Sequence, residues 1–575
     1  MRTLLLLVFF LLTPGFADES SSIRWSSWDR AFERAESQNK LVLLDLEAIW
    51  CHWCHVMDNT TYRNPKLTEF IQENVVPVKV DQDSRPDLAN RYQEFGWPAT
   101  IIFDSKGREL ARLSGFVEAE RMLRILQRLK ENPEPLKVET LPKTPRAERA
   151  LGGALLESLE QRHFALYDEA RGGWGRVHKF LNPHVLEYCL VRSLEGDERN
   201  RGMAKTTLEA NLALFDPVWG GVYQYSDSQV WTSPHFEKLM SSQCANIRIY
   251  SLAFAQFQDL RYLEAAERTA DYLLEFLRSP GAAFYTSQDA DLIQGQKAAD
   301  YFSLNDEERR SLGIPKIDQN HYARENGMAI EALVSLYSVS GKQLYLERAL
   351  ESADWVLEHR LQPNGGFRHG SVDTGPFYLG DTLYCGKAFL ALYRATSEII
   401  WLKRAQDCSS FISESFTEPQ TDGYFTSSEK QVRHRPENVD LSRFANLLHL
   451  HTGLELHKMM SRRALDFFAI EGVTRFFNPG GILLANLEQD KAATHISIVG
   501  KKDDEKAEAL FQQALKNPES YFRLDFWQPG TALPPFSEIE YPDLGQATAF
   551  RCAGQKCSAP VFTEKDLEKL MRAEF

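Results

Sequence analysis

Leu41-Val42-Leu43-Leu44-Asp45-Leu46 leads through a four-residue loop, Glu47 to Trp50, into Cys51-His52-Trp53-Cys54-His55. The apolar run reads as a short buried strand, and the Cys-x-x-Cys opens a helical stretch. A dithiol at such a junction in an α/β pattern is thioredoxin-like. The chemistry needs this placement. Cys51 at a helix N-terminus meets unpaired N–H groups and the positive end of the dipole, which favour the thiolate. Protonated His52 and His55 would favour it further. Two intervening residues leave Cys54 close enough to close a disulfide or to resolve a mixed one.

Outward from the dithiol, Val75–Val80, Ala99–Phe103 and Glu109–Leu113 read as strands and Val117–Lys130 as a helix. Alternation of this kind implies an α/β layer structure. Gly96-Trp97-Pro98 directly precedes the third strand. A cis-proline facing the dithiol is expected at Pro98, with Trp50, Trp53 and Trp97 shaping a substrate groove; a trans edge proline is the alternative. Cys51-x-x-Cys54-His55 also matches a haem c attachment pattern, which accounts for neither the flanking strand nor the proline. Cys51, His52, Cys54 and His55 could offer two or three metal ligands, but no partner cluster completes a tetrahedron. Neither a cofactor nor a metal is expected.

Residues 1–17, MRTLLLLVFFLLTPGFA, have one Arg, an apolar core from Thr3 to Leu12, and small residues at Gly15 and Ala17. This reads as a signal peptide cleaved after Ala17, so the chain is expected to be exported, periplasmic or extracellular, with no membrane span after cleavage. A formal net charge of −14 argues against a general nucleic-acid or anionic-membrane binder. Eight Cys in 575 residues are too few for a disulfide scaffold.

Residues 133–147 are Pro-rich and read as a linker after a first domain at 18–132. From 148 to 480 the pattern is helical. Leu263, Ala266, Ala270, Leu273 and Leu277, and later Leu346, Leu350, Ala353 and Leu357, each mark one apolar helix face. Gly-plus-apolar turns begin at Gly172, Gly220, Gly281, Gly365, Gly423 and Gly480, at intervals of 48, 61, 84, 58 and 57. The long interval holds a polar insertion, about Asp291 to His321. Six helical hairpins closed into an (α/α)6 toroid are expected, with an open solenoid as the alternative. A small α/β segment, 481–575, follows. There Cys552 and Cys557 are expected to form a structural disulfide, or else to relay electrons to the dithiol; Cys189, Cys244, Cys385 and Cys408 read as core filling.

Taken together, residues 24–116 resemble the N-terminal domain of the spermatogenesis-associated, YyaL-type family. The matching strings are Arg24-Trp25, Cys51-His52-Trp53-Cys54-His55-Val56-Met57, Val78-Lys79-Val80-Asp81, Arg85-Pro86-Asp87-Leu88 and Gly96-Trp97-Pro98. The likeness continues through Pro234-His235-Phe236-Glu237-Lys238, Glu325-Asn326-Gly327 and Ala547-Thr548-Ala549-Phe550-Arg551-Cys552. It implies a thioredoxin-like domain fused to a six-hairpin, glycosidase-like toroid. Two departures, Ile49-Trp50 before the first Cys and a short acidic loop after Asp289-Ala290-Asp291, shift weight from the toroid to the dithiol.

Six-hairpin folds often bind sugars, stacking aromatics on rings and using carboxylate pairs. Trp174, Tyr223, His235, Glu237, Asp289 and Glu325 are the candidates at the mouth, His235 and Glu237 foremost. Inter-hairpin packing, turn contacts and N-caps are the bland readings of the same residues. The sequence therefore supports an exported thiol–disulfide oxidoreductase using Cys51 and Cys54 on protein thiols or disulfides, the toroid recognising a partner or glycan. A carbohydrate-binding or carbohydrate-processing protein and a non-catalytic scaffold are the alternatives.

Overall fold

The computed structural model describes residues 23–136, 151–175, 177–371, 375–470, 472–536, 541–554 and 556–573. The expected signal peptide and most of the expected linker lie outside them. Among these residues, 23–48, 53–82 and 92–136 form one compact unit, and 49–52, 83–91 and 151–573 a second.

The chain first runs α1 (Trp28–Gln38), β1 (Leu41–Glu47), α2 (His52–Asn59), α3 (Pro65–Asn74), β2 (Val75–Asp81), α4 (Pro86–Tyr92), β3 (Ala99–Phe103), β4 (Glu109–Ser114) and α5 (Ala119–Glu131). The sheet order is β2-β1-β3-β4, with β1 parallel to β2 and antiparallel to β3. Strand β1 is central and buried from Leu41 to Leu46, which is why its sequence is an apolar run interrupted only by Asp45. Pro65 starts α3 where its missing N–H costs nothing, and the Asn64 side chain accepts from Lys66 N and Leu67 N. Met122, Leu126 and Leu129 give α5 its buried stripe against Leu43, Ile71 and Ile102. This is a thioredoxin-like fold.

Beyond segments 49–52 and 83–91, the second unit runs α6 (Gly153–Ala165), α7 (Pro183–Leu194) and α8 (Glu198–Asn211), then the two-residue strands β5 (Tyr225–Ser226), β6 (Pro234–His235) and β7 (Lys238–Leu239). Next come α9 (Met240–Phe257), α10 (Leu260–Tyr272), β8 (Ser287–Gln288), the short α11 (Ala299–Phe302) and α12 (Asp306–Leu312), and β9 (Ile317–Asp318). The remaining hairpins are α13 (Ala323–Ser340) with α14 (Gln343–His359), α15 (Leu379–Thr396) with α16 (Ile399–Ser415), and α17 (Arg435–Thr452) with α18 (Glu455–Asp466); α19 (Gly480–Asp490) packs on α6.

The inner helices close a ring, each touching the next in the order α7, α9, α13, α15, α17, α19 and back to α7. The toroid is therefore closed, and the open solenoid is excluded. The inner helices bury residues on every side, whereas the outer α10 and α14 bury one stripe, as their 3-4 spacing requires. Gly341 and Gly453 end α13 and α17 in the left-handed conformation, with φ of 69° and 65°. Gly327 serves another need: a Cβ there would lie 2.6 Å from the Tyr384 backbone, so only glycine lets α13 and α15 approach so closely.

The tail holds β10 (Thr494–Val499), α20 (Glu505–Leu515), β11 (Phe522–Trp527), β12 (Thr548–Ala553), β13 (Lys556–Cys557) and α21 (Glu564–Arg572). Its sheet order is β11-β10-β12-β13, with β10 parallel to β11 and antiparallel to β12. That is the connectivity of the N-terminal sheet, with Gly500-Lys501-Lys502 where the first fold carries its dithiol. Cys552 and Cys557 face each other across the β12–β13 hairpin and are joined by a disulfide. Cys189, Cys244, Cys385 and Cys408 are buried and free.

Candidate functional site

Cys51 immediately precedes α2, and Cys54 lies in its first turn. Both are disulfide-bonded. They are 4% and 2% exposed, so in this oxidised state neither sulfur is freely presented. Trp53 is the exposed member of the motif at 38%, its ring tilted against Phe116 at 5.9 Å. The Trp97–Pro98 peptide is cis. Ala99, the next residue, pairs with Leu46, so Pro98 lies at the sheet end from which β1 delivers the chain toward Cys51.

Beneath this end lies a group that motif reading passed over. Asp45 is 2% exposed, and the β1–β2 register sets it opposite Lys79. The Lys79 ammonium lies 3.4 Å from Asp45 and 2.6 Å from Glu47, and also pairs with Asp58. Asp45, Glu47 and Asp58 hold their ligand atoms within 4.8 Å of one another. Lys79 supplies the positive charge such a group would otherwise draw from a cation. Burial pushes the Asp45 carboxyl up to about 7, against the pull of Lys79. Burial would lower Lys79, but the carboxylates outweigh it and hold the ammonium above the usual lysine value.

Linkage turns this into a prediction. The folded chain holds the Asp45 proton to about 7 rather than 3.8, so folding loses stability as pH rises through that window. The full loss is about 4 kcal/mol at 1.36 kcal/mol per unit. Asp45→Asn should therefore raise the denaturation midpoint at about pH 8 and leave it unchanged at about pH 3. A lower midpoint at pH 8 would mean that attraction to Lys79 outweighs burial.

Residues 49–52 and 83–91 belong to the toroid's unit, and their contacts there are extensive. Trp50 Nε1–H donates to Asp83 Oδ2 at 2.7 Å, and Ala290 N–H donates to Trp50 O at 3.3 Å. His52 Nδ1 lies 2.8 and 3.0 Å from the two Asp291 carboxylate oxygens. His369 Nε2 lies 2.7 Å from Asp83 O, and its Nδ1 2.9 Å from Asp381. Tyr378 O–H donates to Asp87 at 3.2 Å, and the Asn90 amide to Thr426 Oγ1 at 2.5 Å. Burial and the neighbouring Glu325 charge push Asp83 up to about 6. Groups at and near the N-terminal ends of α13, α15 and α17 are thus engaged by these two segments.

The toroid candidates separate. Trp174 is buried, stacked on His163 at 5.3 Å, with its Nε1–H donating to His163 O. Tyr223 is buried among Phe236 and Phe302. Neither ring offers a free face, because each fills space between hairpins. His235 stacks on Tyr225 at 4.2 Å, with Asp227 2.6 Å and Glu237 3.9 Å away. Burial would lower His235, but these carboxylates outweigh it and hold it above the usual histidine value. Glu325 takes the Arg324 guanidinium at 2.8 Å, and Asp289 Oδ1 accepts from Asp291 N. The buried Oε2 atoms of Glu237 and Glu325 have no hydrogen-bond partner among the described residues.

A family model described as "Thioredox_DsbH: Protein of unknown function, DUF255" matches residues 16–131. Spermatogenesis-associated protein 20 of Homo sapiens is 23% identical over 704 residues, covering 96% of this chain and 90% of that protein. The thiol:disulfide interchange protein DsbD of Actinobacillus pleuropneumoniae is 32% identical over 116 residues, 17% of this chain and 20% of that one. Among solved structures, a D-mannose isomerase aligns at 12% identity and a TM-score of 0.45, covering 61% of this chain and 99% of that chain. The chain is similar to spermatogenesis-associated protein 20 over most of its length, and its thioredoxin-like domain is similar to part of DsbD.

Proposed function

We propose that the chain is an exported thiol–disulfide oxidoreductase acting through Cys51 and Cys54, with the toroid recognising its protein substrate. One observation carries this reading: a Cys-x-x-Cys disulfide that opens a helix at the end of the central strand, in a thioredoxin-like fold. In the reducing direction, the Cys51 thiolate attacks a substrate disulfide. A Cys51–substrate bond forms, and the other substrate sulfur leaves as thiolate. Cys54, deprotonated, then attacks Cys51 Sγ, closing the internal disulfide and releasing the second substrate thiolate. The reverse sequence donates the disulfide. Measuring the Cys51–Cys54 potential against glutathione separates reductant from oxidant. A pair that neither exchanges with glutathione nor reduces a protein disulfide would overturn the proposal.

Access to Cys51 gives a further prediction. Segment 49–52 is fastened by the Ala290–Trp50 and His52–Asp291 hydrogen bonds. Asp291→Ala removes a bond to a charged group worth about 1.5–3 kcal/mol. Alkylation of Cys51 in the reduced protein should quicken about tenfold on the plateau of its pH–rate profile. An unchanged plateau would detach this tie from dithiol access.

The carbohydrate reading keeps one supporting observation, the buried Oε2 atoms of Glu237 and Glu325 that have no partner among the described residues. A glycan panel on the full chain, with Glu237→Gln as control, tests it. Binding that the variant removes would support that reading.

A further inference from the structure

The inner helices bring charge to one level. Arg248, Glu331, Lys387, Arg443 and Glu488 are each the ninth residue of their helix, on α9, α13, α15, α17 and α19. Within this belt every charge has a partner of opposite sign, three cations facing four carboxylates. Glu187 takes Arg248 at 2.7 Å and Arg443 at 2.6 Å, and Glu488 takes Arg443 at 2.7 Å. Lys387 lies 3.2 Å from Glu331 and 3.1 Å from Asp440.

From the belt toward the C-terminal ends of the inner helices extends a cavity of about 170 Å³, lined on its far side by residues of segment 515–522. It therefore lies toward the opposite end of the toroid from the mouth. One lining cation stands outside the pairing. Arg394, on α15, has no carboxylate within 4.0 Å among the described residues, and its buried Nε makes no hydrogen bond. Its guanidinium rests over the Phe522 ring at 4.1 Å, which fixes it in place without neutralising it. The two acids nearest in chain to that ring are both taken, Glu519 by Arg551 at 3.3 Å and Asp525 by Arg523 at 2.6 Å. Three further lining atoms are buried without a partner among the described residues: Ser251 Oγ, Asn517 Nδ2 and Ser520 Oγ. All four groups can donate, and a buried donor left without an acceptor is costly.

We propose that this cavity binds a small oxyanion, a carboxylate or a phosphate, with Arg394 as its charge partner and Ser251, Asn517 and Ser520 as donors. An engineered cavity of about 150 Å³ holds benzene, so the ligand is of that size, about six to ten non-hydrogen atoms or fewer. A planar guanidinium suits either oxyanion.

The test uses the full chain in a zwitterionic buffer, titrated calorimetrically with inorganic phosphate and with succinate, and with chloride at matched ionic strength. Saturable binding of phosphate or succinate, with no comparable chloride effect, is expected; which of the two binds more tightly assigns the oxyanion. Arg394→Met should weaken that binding at least tenfold, while its melting midpoint in anion-free buffer stays at or above the wild type, since it removes an unpaired charge. Ser251→Ala, which leaves every ion pair in place, should weaken binding severalfold and keeps the test intact if Arg394→Met does not fold. No saturable binding of either anion would mean that the cavity holds water only. Equal binding by both variants and the wild type would also overturn the proposal.

Discussion

Cys54→Ser in the full chain, expressed in a cell that exports it, should accumulate covalent adducts through Cys51. The reason is kinetic. In the wild type, Cys54 sits in the first turn of α2, the helix that directly follows Cys51, and both are disulfide-bonded. Its attack on a mixed disulfide is intramolecular and pre-oriented, which is worth several orders of magnitude over a bimolecular thiol. Serine cannot perform it. Adducts that turn over too quickly to see in the wild type should persist about a hundredfold longer or more in the variant. Acid quenching, alkylation and non-reducing electrophoresis would show them as reducible bands, and mass spectrometry would place the bond on Cys51. Cys51→Ser should give none and should abolish turnover. If the Cys54→Ser protein yields no adducts while Cys51 remains free to alkylate, the dithiol does not exchange with proteins in that compartment.

What could be read in advance followed from how local the signal is. The β1 run, the dithiol and Gly96-Trp97-Pro98 are each contiguous, and the strand-to-helix junction they mark is a local event. The expected strand 99–103 matches β3 residue for residue. Asp45 shows the limit. In the chain it is one acid in an apolar run; only the parallel register with β2 brings Lys79, 34 residues later, opposite it. The charged belt is hidden for a similar reason. Its members share a level only once each helix start is known, and helix starts are the least legible part of a periodic pattern. Trp174 and His235 both sit in turn-rich stretches between helices, so composition could not separate a ring packed on His163 from one packed on Tyr225. The polar look of the 291–321 insertion also misleads. Arg309 within it is fully buried, 2.8 Å from Asp216, with Lys238 on the same carboxylate. A buried charge with a distant partner looks like a surface charge until the partner is known.

Glu187→Ala should be among the most destabilising single changes in the toroid. Its carboxylate is fully buried between Arg248 and Arg443, which belong to two other inner helices. Burial would raise its pKa, but the two guanidiniums outweigh that and hold it far below the usual carboxylate range. A depressed folded value contributes stability above the unfolded value of about 4.5, lost only as pH falls toward the folded one. The network should therefore hold unchanged from about pH 6 to pH 8. Alanine leaves Arg248 with no carboxylate in contact among the described residues and Arg443 with Glu488 alone. Removing one partner from a buried pair costs about 3–5 kcal/mol, against less than about 1 kcal/mol for Glu198→Ala, whose carboxylate meets Arg201 at the surface. Urea unfolding followed by tryptophan fluorescence should show the first midpoint well below the second at every pH in that range. Equal midpoints would mean that packing alone closes the ring. Replacing Glu187, Arg248 and Arg443 together with leucine or methionine separates the remaining cases. Recovery to wild-type stability would show that this part of the belt specifies which helices meet rather than how strongly they hold.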